Sequence, residues 1–304
     1  ISLLITATAN AVAVAEHVIY MMLSISKSIN KYDNEVRLGN FKKNASKIET
    51  LELFNKEIFI VGFGRIGKSL IKRCLGFEMK VNVYDPFVTA EVIKKFGGNK
   101  IENLEEGLKN CDYLSLHIPL TEKTKNMINY EKISSMKKNA IIINTSRGGI
   151  VNEEDFMSQN KVSMISDVFN NEPNINKDFQ KSRYLSTPHI AGHTQFSRYQ
   201  MTKMAFEKIF AFLKLRAPTF KGLECPDPEP LNIRQLELDF SDYGFPVDLI
   251  LNTYDPTLDK FKYAEFKKFR DNYHNRLGFA QKGIIFNDHR YKTLIKKIGF
   301  CINS

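Results

Sequence analysis

Residues 57–67 read EIFIVGFGRIG, and this stretch decides the fold of the chain. Its first five residues are mostly apolar, which is typical of a short buried strand. Three glycines follow at once in the G-x-G-x-x-G spacing of a loop that joins a strand to a helix. In such a loop Gly62 permits the tight turn, Gly64 lets a pyrophosphate approach the backbone, and Gly67 allows close helix–strand packing. The stretch therefore predicts a strand–loop–helix unit that binds a dinucleotide.

Asp85 indicates which dinucleotide is bound. It follows the next apolar run, about 20 residues beyond the glycine loop, where an acidic side chain accepts hydrogen bonds from a ribose diol and repels a 2′-phosphate. We therefore expect NAD as the cofactor. Arg65 and Ile66 lie within the loop, and Arg65 is expected to pair with the pyrophosphate, although it could instead weaken the exclusion of NADP. The alternative is that the glycines form an ordinary turn of an α/β protein.

Apolar runs alternate with helical patterns along most of the remaining chain. Helices are predicted at 66–77, 103–110, 130–137 and 153–159, and strands at 81–84, 113–116, 140–143 and 164–165. Continuous apolar strands separated by helices indicate a parallel sheet that is covered on both faces. The fold class is therefore predicted as α/β, with a doubly wound parallel-sheet domain of the Rossmann type.

Changes in composition divide the chain into three parts. Residues 1–195 are assigned to the NAD-binding Rossmann domain with a leading interdomain helix. Residues 196–232 contain a return helix and a linker with four prolines, as the remnant of a substrate domain. Residues 233–304 mix strand-like runs at 247–251 and 283–286 with charged helical stretches, and they are predicted to form a small C-terminal α+β domain.

The chain has 304 residues, with 44 Lys and Arg against 34 Asp and Glu, which gives a formal net charge of +10. Such a charge fits a nucleic acid, an anionic membrane surface, an anionic small molecule or simply a lysine-rich composition. The basic residues are spread along the chain without a run of five, so a basic tail is excluded and no nucleic-acid partner is expected. With 43% hydrophobic and 26% charged residues, the composition also excludes a disordered or polytopic membrane protein.

The first 26 residues are largely apolar and need to be distinguished from a membrane segment. Asn10, Glu16 and His17 interrupt the run and no basic residue precedes it, so we predict a buried helix and no membrane partner. The four cysteines lie apart, without a CxxC pair or a histidine at ligand spacing. This pattern favours a reducing, cytoplasmic location and argues against a metal site. Because the chain begins with Ile1, we expect it to start within a larger reading frame.

Three loops place polar side chains just after apolar strands, at the edge where open α/β sheets bind ligands. They are residues 144–149, 167–173 and 187–192. The first contains Arg147, whose guanidinium is suited to capturing a carboxylate through two hydrogen bonds. Taken singly, each loop has another explanation, because its polar residue could be a surface arginine, a loop glutamate or a capped core histidine.

Together the motifs make residues 10–215 resemble the D-isomer-specific 2-hydroxyacid dehydrogenases. Six ordered segments carry the resemblance: 10–17 (NAVAVAEH), 62–67 with Asp85, 117–121 (HIPLT), 145–149 (TSRGG), 167–173 (DVFNNEP) and 188–192 (PHIAG). The resemblance implies three catalytic residues. His189 would remove the proton of a substrate hydroxyl as hydride leaves for the nicotinamide, Glu172 would hydrogen-bond the imidazole, and Arg147 would bind the substrate carboxylate.

The resemblance also implies sites for the cofactor and the substrate. His193 directly follows the histidine motif and is expected to reach the substrate together with Arg147. His17 is expected to be a core or interface residue, and His117 a structural residue of the cofactor loop. The cofactor-binding residues are expected to be Gly62, Gly64, Arg65, Ile66, Gly67, Asp85, Ile118, Pro119, Thr145, Arg147, Asp167 and Gly192.

The C-terminal residues suggest which hydroxy acid is bound. The stretches 247–255, 266–273 and 295–300 resemble the dimerisation domain of the erythronate-4-phosphate dehydrogenases. This resemblance implies a homodimer that oxidises 4-phosphoerythronate to 2-oxo-3-hydroxy-4-phosphobutanoate in pyridoxal phosphate (vitamin B6) biosynthesis, although His193 stands where that group usually has tyrosine. The alternatives are D-3-phosphoglycerate or another D-2-hydroxy acid as substrate, or a binding module that senses NADH. Because the family's leading substrate-domain segment is almost absent, we expect cofactor binding with weak or no turnover.

Overall fold

The computed structural model describes residues 9–41 and 50–214, together with the backbone of strands within 229–231, 282–285 and 301–303. The predicted dimerisation domain, 233–304, lies outside the described residues apart from two of these strands. The predicted strand at 247–251 and the charged helices near it also lie outside them.

A seven-stranded parallel sheet forms the centre of the fold, in the order β3-β2-β1-β4-β5-β6-β7. Its strands are β1 Glu57–Val61, β2 Lys80–Tyr84, β3 Asn99–Lys100, β4 Tyr113–Leu116, β5 Ile141–Asn144, β6 Ser163–Ser166 and β7 Leu185–Ser186. The helices are α1 Ala11–Lys27, α2 Ile29–Arg37, α3 Arg65–Gly76, α4 Ala90–Lys95, α5 Leu104–Asn110, α6 Tyr130–Ser135, α7 Glu153–Met157, α8 Lys177–Lys181 and α9 Gln195–Phe212. The predicted doubly wound α/β fold is confirmed.

Two hydrophobic cores explain why the strands are continuously apolar. Along β1, Ile58 and Ile60 point into one core, whereas Phe59 and Val61 point into the other, as the two-residue period of a strand requires. Helices α1 and α3 contribute residues to the first core, and α5 and α6 contribute residues to the second. Both faces of the sheet are therefore covered.

The strand order reverses direction between β1 and β4. From β1 the chain moves outward through β2 to β3, then returns to place β4 on the opposite side of β1. Such a reversal leaves a crevice beyond the carboxyl ends of the central strands, which is where open α/β sheets bind ligands.

Helix α1 is the buried helix that the sequence predicts, with 14 buried residues among its 17. Glu16 and Arg73 form an ion pair at 3.0 Å that joins α1 to α3, and both side chains are about 6% exposed. Near its other end, Ser26 Oγ and Tyr113 Oη are 2.6 Å apart, which ties α1 to β4. Within the described residues, no single helix has the length and hydrophobicity to cross a membrane, and only α1 and α2 taken together meet that test, as a pair bent by 59°.

Helix α9 follows the sheet at the predicted position, but among its residues only Ser197 is buried. Ile209, Phe212 and Leu213 are more than 40% exposed. The backbone described beyond α9 consists of β8 Glu229–Leu231, β9 Lys282–Ile285 and β10 Cys301–Asn303, which pair in parallel in the order β10-β9-β8. Strand β9 coincides with the strand predicted at 283–286 to within one residue.

Candidate active site

The glycine loop has the geometry that its spacing predicts. Gly62 adopts a φ of +104°, and a Cβ atom there would lie 2.5 Å from the carbonyl oxygen of His117. A Cβ on Gly67 would lie 2.3 Å from the carbonyl oxygen of Gly62, so the helix packs directly on the turn. Gly64 is the N-cap of α3, and a Cβ there would meet nothing within 4 Å. The helix N-terminus, which has no acidic residue in its first turn, therefore faces open space with N–H groups suited to a pyrophosphate.

Asp85 lies beside this loop at the end of β2. Its Oδ2 accepts a hydrogen bond from the backbone N–H of Phe63 at 2.8 Å, and its Oδ1 accepts one from the backbone N–H of Phe87 at 2.9 Å. Each carboxylate oxygen can accept a further hydrogen bond, so the same group can hold the loop and still bind a ribose diol. Asp85 thus also holds the glycine loop through the Phe63 N–H, a contact that its place in the sequence motif did not indicate.

A cavity of about 500 Å³ opens beyond the carboxyl ends of the central strands. Its wall also includes Asn10 and Val14 from α1. Of the predicted site residues, Gly62, Gly64, Arg65, Gly67, Asp85 and Glu172 lie outside the cavity wall. The structure brings the other predicted site residues together on that wall: Ile66, Ile118, Pro119, Thr145, Arg147, Asp167, His189, Gly192 and His193.

Glu172 stands behind His189 and fixes the imidazole. Its Oε2 lies 2.8 Å from His189 Nδ1, and its Oε1 accepts a hydrogen bond from the backbone N–H of Phe169 at 2.8 Å. The His189 side chain is 27% exposed and that of Glu172 is 18% exposed. Because Nδ1 is engaged by a carboxylate, Nε2 is the ring nitrogen left to exchange a proton with a ligand.

The Arg147 loop is built by a neighbouring side chain that motif reasoning did not single out. Asn144 Oδ1 accepts hydrogen bonds from the N–H and the hydroxyl of Ser146, and Asn144 Nδ2 donates to the carbonyl of Arg147 at 2.9 Å. A Cβ on Gly148 would lie 1.9 Å from the carbonyl oxygen of Phe169, so this loop packs against the loop that carries Glu172. Arg147 itself is exposed, and its Nη1 donates to the carbonyl of Ser146 at 2.6 Å. The sequence signal that could have identified Asn144 as a loop-shaping residue is its position between an apolar strand and a pair of glycines.

Asp167 is buried behind the turn that carries His189. Its Oδ1 accepts hydrogen bonds from the hydroxyl of Thr187 at 2.6 Å and from the N–H of Ile190 at 2.8 Å, and its Oδ2 accepts one from the N–H of Ala191 at 2.9 Å. Burial raises the pKa of this carboxyl, although the hydrogen bonds and the nearby His189 act in the opposite direction. The residue predicted as a cofactor ligand therefore also shapes the histidine turn.

Two polar atoms on the cavity wall have no hydrogen-bond partner among the described residues. They are Thr145 Oγ1 and His117 Nδ1, and both are buried. The other ring nitrogen of His117 lies 2.8 Å from Ser115 Oγ, and desolvation lowers the pKa of His117 to about 3, so the ring is neutral. Together with the open space at Gly64, these atoms fit a polar dinucleotide. The His117 residue is half-buried and borders the site.

His193 and His17 are placed as the sequence suggests, each with an added contact. His193 borders the cavity, and its N–H donates to the carbonyl of Ile190 at 2.8 Å. His17 is a fully buried residue of the core, and its Nε2 lies 3.1 Å from Thr187 Oγ1. No sequence pattern indicated that His17 contacts the turn that carries His189, because His17 and Thr187 are 170 positions apart.

Comparison with known proteins agrees with this geometry. The profile of the D-isomer specific 2-hydroxyacid dehydrogenase NAD binding domain matches residues 19–191, which is more than half of the 304-residue chain. The chain belongs to this family. It therefore contains the NAD-binding domain of a 2-hydroxyacid dehydrogenase, as the glycine loop and the segments around the cavity predicted.

The relatives of this chain differ in how much of their own length is matched. A D-3-phosphoglycerate dehydrogenase of Bacillus subtilis is 33% identical over 222 residues, which cover 71% of this chain but only 42% of that protein. A hydroxypyruvate reductase of Thermotoga maritima is 34% identical over 218 residues, covering 69% of each chain. The crystal structure of D-lactate dehydrogenase from Aquifex aeolicus, complexed with NAD and lactic acid, matches with a TM-score of 0.60 and 32% identity over 66% of each chain.

Proposed function

We propose that this chain supplies the cofactor site and the catalytic groups of an NAD-dependent dehydrogenase acting on a D-2-hydroxy acid. The observation that carries the proposal is the His189–Glu172 pair, with a contact of 2.8 Å, on a cavity that also contains Arg147. A base, its orienting carboxylate and a free cation are the groups that oxidation of a hydroxy acid requires. The glycine loop opens toward a dinucleotide on the same edge of the sheet.

Each side chain has a defined task in this reaction. His189 Nε2 accepts the hydroxyl proton while the carbon–oxygen double bond forms, and Glu172 stabilises the resulting imidazolium through Nδ1–H. Arg147 leaves its contact with the Ser146 carbonyl and pairs with the substrate carboxylate, where it also stabilises charge that develops on the neighbouring oxygen. NAD, when bound, would supply the acceptor for the hydride of the carbon that carries the hydroxyl group.

The cofactor and substrate assignments follow from residues around this centre. Thr145, Ile118, Pro119 and Gly192 are proposed to contact the nicotinamide and adenosine parts of NAD, since they border the cavity. Gly62, Gly64, Arg65, Ile66 and Gly67 would hold the pyrophosphate, and Asp85 the ribose diol. His193, which borders the same cavity as His189, would contact the substrate.

We infer that the substrate is a phosphorylated hydroxy acid, and two candidate substrates are equally supported. The resemblance of 247–300 to the erythronate-4-phosphate dehydrogenases favours 4-phosphoerythronate and a homodimer. The D-3-phosphoglycerate dehydrogenase of Bacillus subtilis, at 33% identity, equally supports D-3-phosphoglycerate. Because this chain matches 42% of that relative's length, the relative's substrate is no more than a candidate for the present protein.

A substrate panel tests the proposal. Oxidation of 4-phosphoerythronate, D-3-phosphoglycerate, D-lactate and D-glycerate is measured with NAD as formation of NADH at 340 nm. A preference for either phosphorylated acid supports the proposal and chooses between the candidates. The His189→Asn variant is expected to bind NADH unchanged and to lose turnover by about 10³-fold or more, since a general base contributes about 10²–10⁴-fold. Unchanged turnover in that variant would contradict the role of His189.

A further inference from the structure

His189 adopts a backbone conformation that L-amino acids avoid, and its surroundings must hold it there. Its φ is +56°, in the left-handed region, which costs roughly 1–2 kcal/mol for a residue with a Cβ atom. A strained residue of this kind persists only where neighbouring contacts determine its conformation. The conformation of His189 therefore depends on the contacts that fix the turn of residues 187–191.

Asp167 provides those contacts with its backbone and its side chain. Its carbonyl accepts the N–H of His189 at 2.7 Å, while its carboxylate accepts the N–H groups of Ile190 and Ala191. Three successive N–H groups of the turn thus converge on one residue at the end of β6. The orientation of the Asp167 carboxylate therefore decides the direction in which the His189 side chain leaves the backbone.

The carboxylate is in turn oriented from α1. Thr187 donates its single hydroxyl proton to Asp167 Oδ1 at 2.6 Å, so its oxygen can only accept from His17 Nε2, which lies 3.1 Å away. His17 is fully buried, and its Nε2 is 4.0 Å from Asp167 Oδ1. A buried imidazole costs free energy unless it is hydrogen-bonded, so this contact accounts for a polar residue in an otherwise apolar helix.

Helix α1 has a second contact with the same segment. The side chain of Asn10 packs against Gly192, where a Cβ atom would lie 2.5 Å from Asn10 Nδ2. The Glu16–Arg73 ion pair fixes α1 to α3, whose N-terminus is the dinucleotide loop. Both contacts fix the N-terminal half of α1, which carries His17.

We propose that His17 is a positioning residue for His189, acting through the Nε2–H of its own imidazole, the Thr187 hydroxyl and the Asp167 carboxylate. The inference rests on the proposed function, because it assigns His17 to the base of that reaction. His17 touches no ligand; it sets the conformation of the turn that presents His189. A side chain at position 17 that fills the same space without donating a hydrogen bond leaves Thr187 without its donor and loosens the turn.

The test compares three variants of the full chain. His17→Leu removes the donor, His17→Gln keeps an N–H donor of similar reach, and Ser26→Ala is the matched control, because it removes a buried α1 hydrogen bond to Tyr113 instead. Hydrogen exchange of the Ile190 and Ala191 amides is measured by ¹H–¹⁵N NMR, together with kcat, the KM for NAD and the unfolding midpoint in urea.

We expect His17→Leu to lower kcat by about tenfold or more, which is ~1.4 kcal/mol, with the KM for NAD changed by less than about twofold. Exchange at Ile190 and Ala191 should accelerate in this variant, and His17→Gln should recover most of both properties. Ser26→Ala should lower the unfolding midpoint without lowering kcat and without accelerating exchange at Ile190 and Ala191. The inference is overturned if His17→Leu and Ser26→Ala behave alike in exchange and kcat at a comparable loss of stability.

Two measurements separate this inference from the proposed function. Amide exchange needs no substrate, so it decides the role of His17 even where turnover is too weak to measure. The proposed function is rejected instead if the protein binds no NADH and oxidises none of the acids in the panel. If His17→Leu does not fold, the ¹⁵N NMR spectrum of the wild-type His17 imidazole tests the inference, because it shows which ring nitrogen carries the proton. The inference requires the proton of neutral His17 on Nε2, and a proton on Nδ1 alone overturns it.

Discussion

At the scale of single residues, two of the three histidines on the cavity wall have opposite environments. His189 is partly exposed and paired with Glu172, whereas the His117 Nδ1 atom is sealed from solvent and has no partner among the described residues. Desolvation lowers the pKa of His117 to about 3, because burial disfavours the charged ring. At neutral pH His117 therefore acts only as a neutral polar group of the cavity wall, and His189, which Glu172 orients, is the histidine proposed to exchange the substrate proton.

The buried His117 predicts a specific dependence of stability on pH. The unfolded chain protonates this histidine near pH 6.5 and the folded chain near pH 3, so its contribution is complete above pH 6.5 and is lost as the pH falls between those values. For one proton the loss is at most ~1.4 kcal/mol per pH unit. His117→Gln should be less stable than the wild type at pH 7, and the gap should narrow at pH 6 and pH 5. Urea unfolding of both proteins measures the gap, and a gap that does not change with pH contradicts the prediction.

The residues that could be predicted from sequence are those within short, dense motifs. Arg147 and Glu172 each stand a few positions after a predicted apolar strand, which is enough to place them at one edge of the sheet. His189 follows the short strand β7 and was identified from the sequence motif around it. His17 and Asn10 were not assigned a role at the site, because their contacts are to residues more than 150 positions away. Only the packing of α1 on the sheet brings these residues to the histidine turn.

At the scale of elements, the loops after β5 and β6 pack closely against each other at Gly148. The position of a Gly148 Cβ would be 1.9 Å from the Phe169 carbonyl oxygen and 2.6 Å from the Asn170 nitrogen, and both of these atoms belong to backbone. Backbone cannot move aside as a flexible side chain can, so the separation between the Arg147 loop and the Glu172 loop depends on the absence of a side chain there.

Alanine substitutions at two glycines should therefore have different effects. Gly148→Ala should separate the two loops, lowering stability by about 1–3 kcal/mol and reducing turnover because Arg147 moves relative to His189. Gly64→Ala meets no protein atom and should leave the unfolding midpoint unchanged while weakening NADH binding, since the methyl group occupies ligand space. Thermal unfolding and fluorescence titration with NADH distinguish the two. Equal loss of stability in both variants would count against this account of the loops.

The elements predicted from sequence are those with a clear apolar pattern. Strands β1, β2, β4 and β5, and helices α3 and α5, lie within one or two residues of the predicted ranges. The two-residue strands β3 and β7 were not predicted, because two residues show no periodicity and the pairing of each depends on its neighbour in the sheet. Helix α2 has no buried residue and therefore lacks the apolar face that marks a helix in a sequence.

At the scale of the whole molecule, the strand order places the residues that we propose for cofactor binding and catalysis on one edge of the sheet. The glycine loop follows β1, Asp85 follows β2, and Arg147 follows β5, so a single bound dinucleotide extends across several strands. A ligand that contacts several elements at once binds only when all of them are folded, so it stabilises the folded state of the whole domain. The preference for NAD over NADP is then also visible in unfolding experiments, independently of turnover.

NADH is expected to raise the melting temperature of the protein, and NADPH much less. At 100 times its Kd a ligand that binds only the folded state adds about 2.7 kcal/mol of stability, which corresponds to roughly 5–11 °C for a domain of 150–250 residues. NADPH at the same concentration should produce a small shift, because the Asp85 carboxylate repels its 2′-phosphate. Asp85→Asn removes the charge, so the difference between the two cofactors should shrink. The variant keeps one acceptor oxygen, so one of the two backbone N–H groups, of Phe63 or of Phe87, loses its partner. Equal shifts with NADH and NADPH in the wild type would show that Asp85 does not select the cofactor.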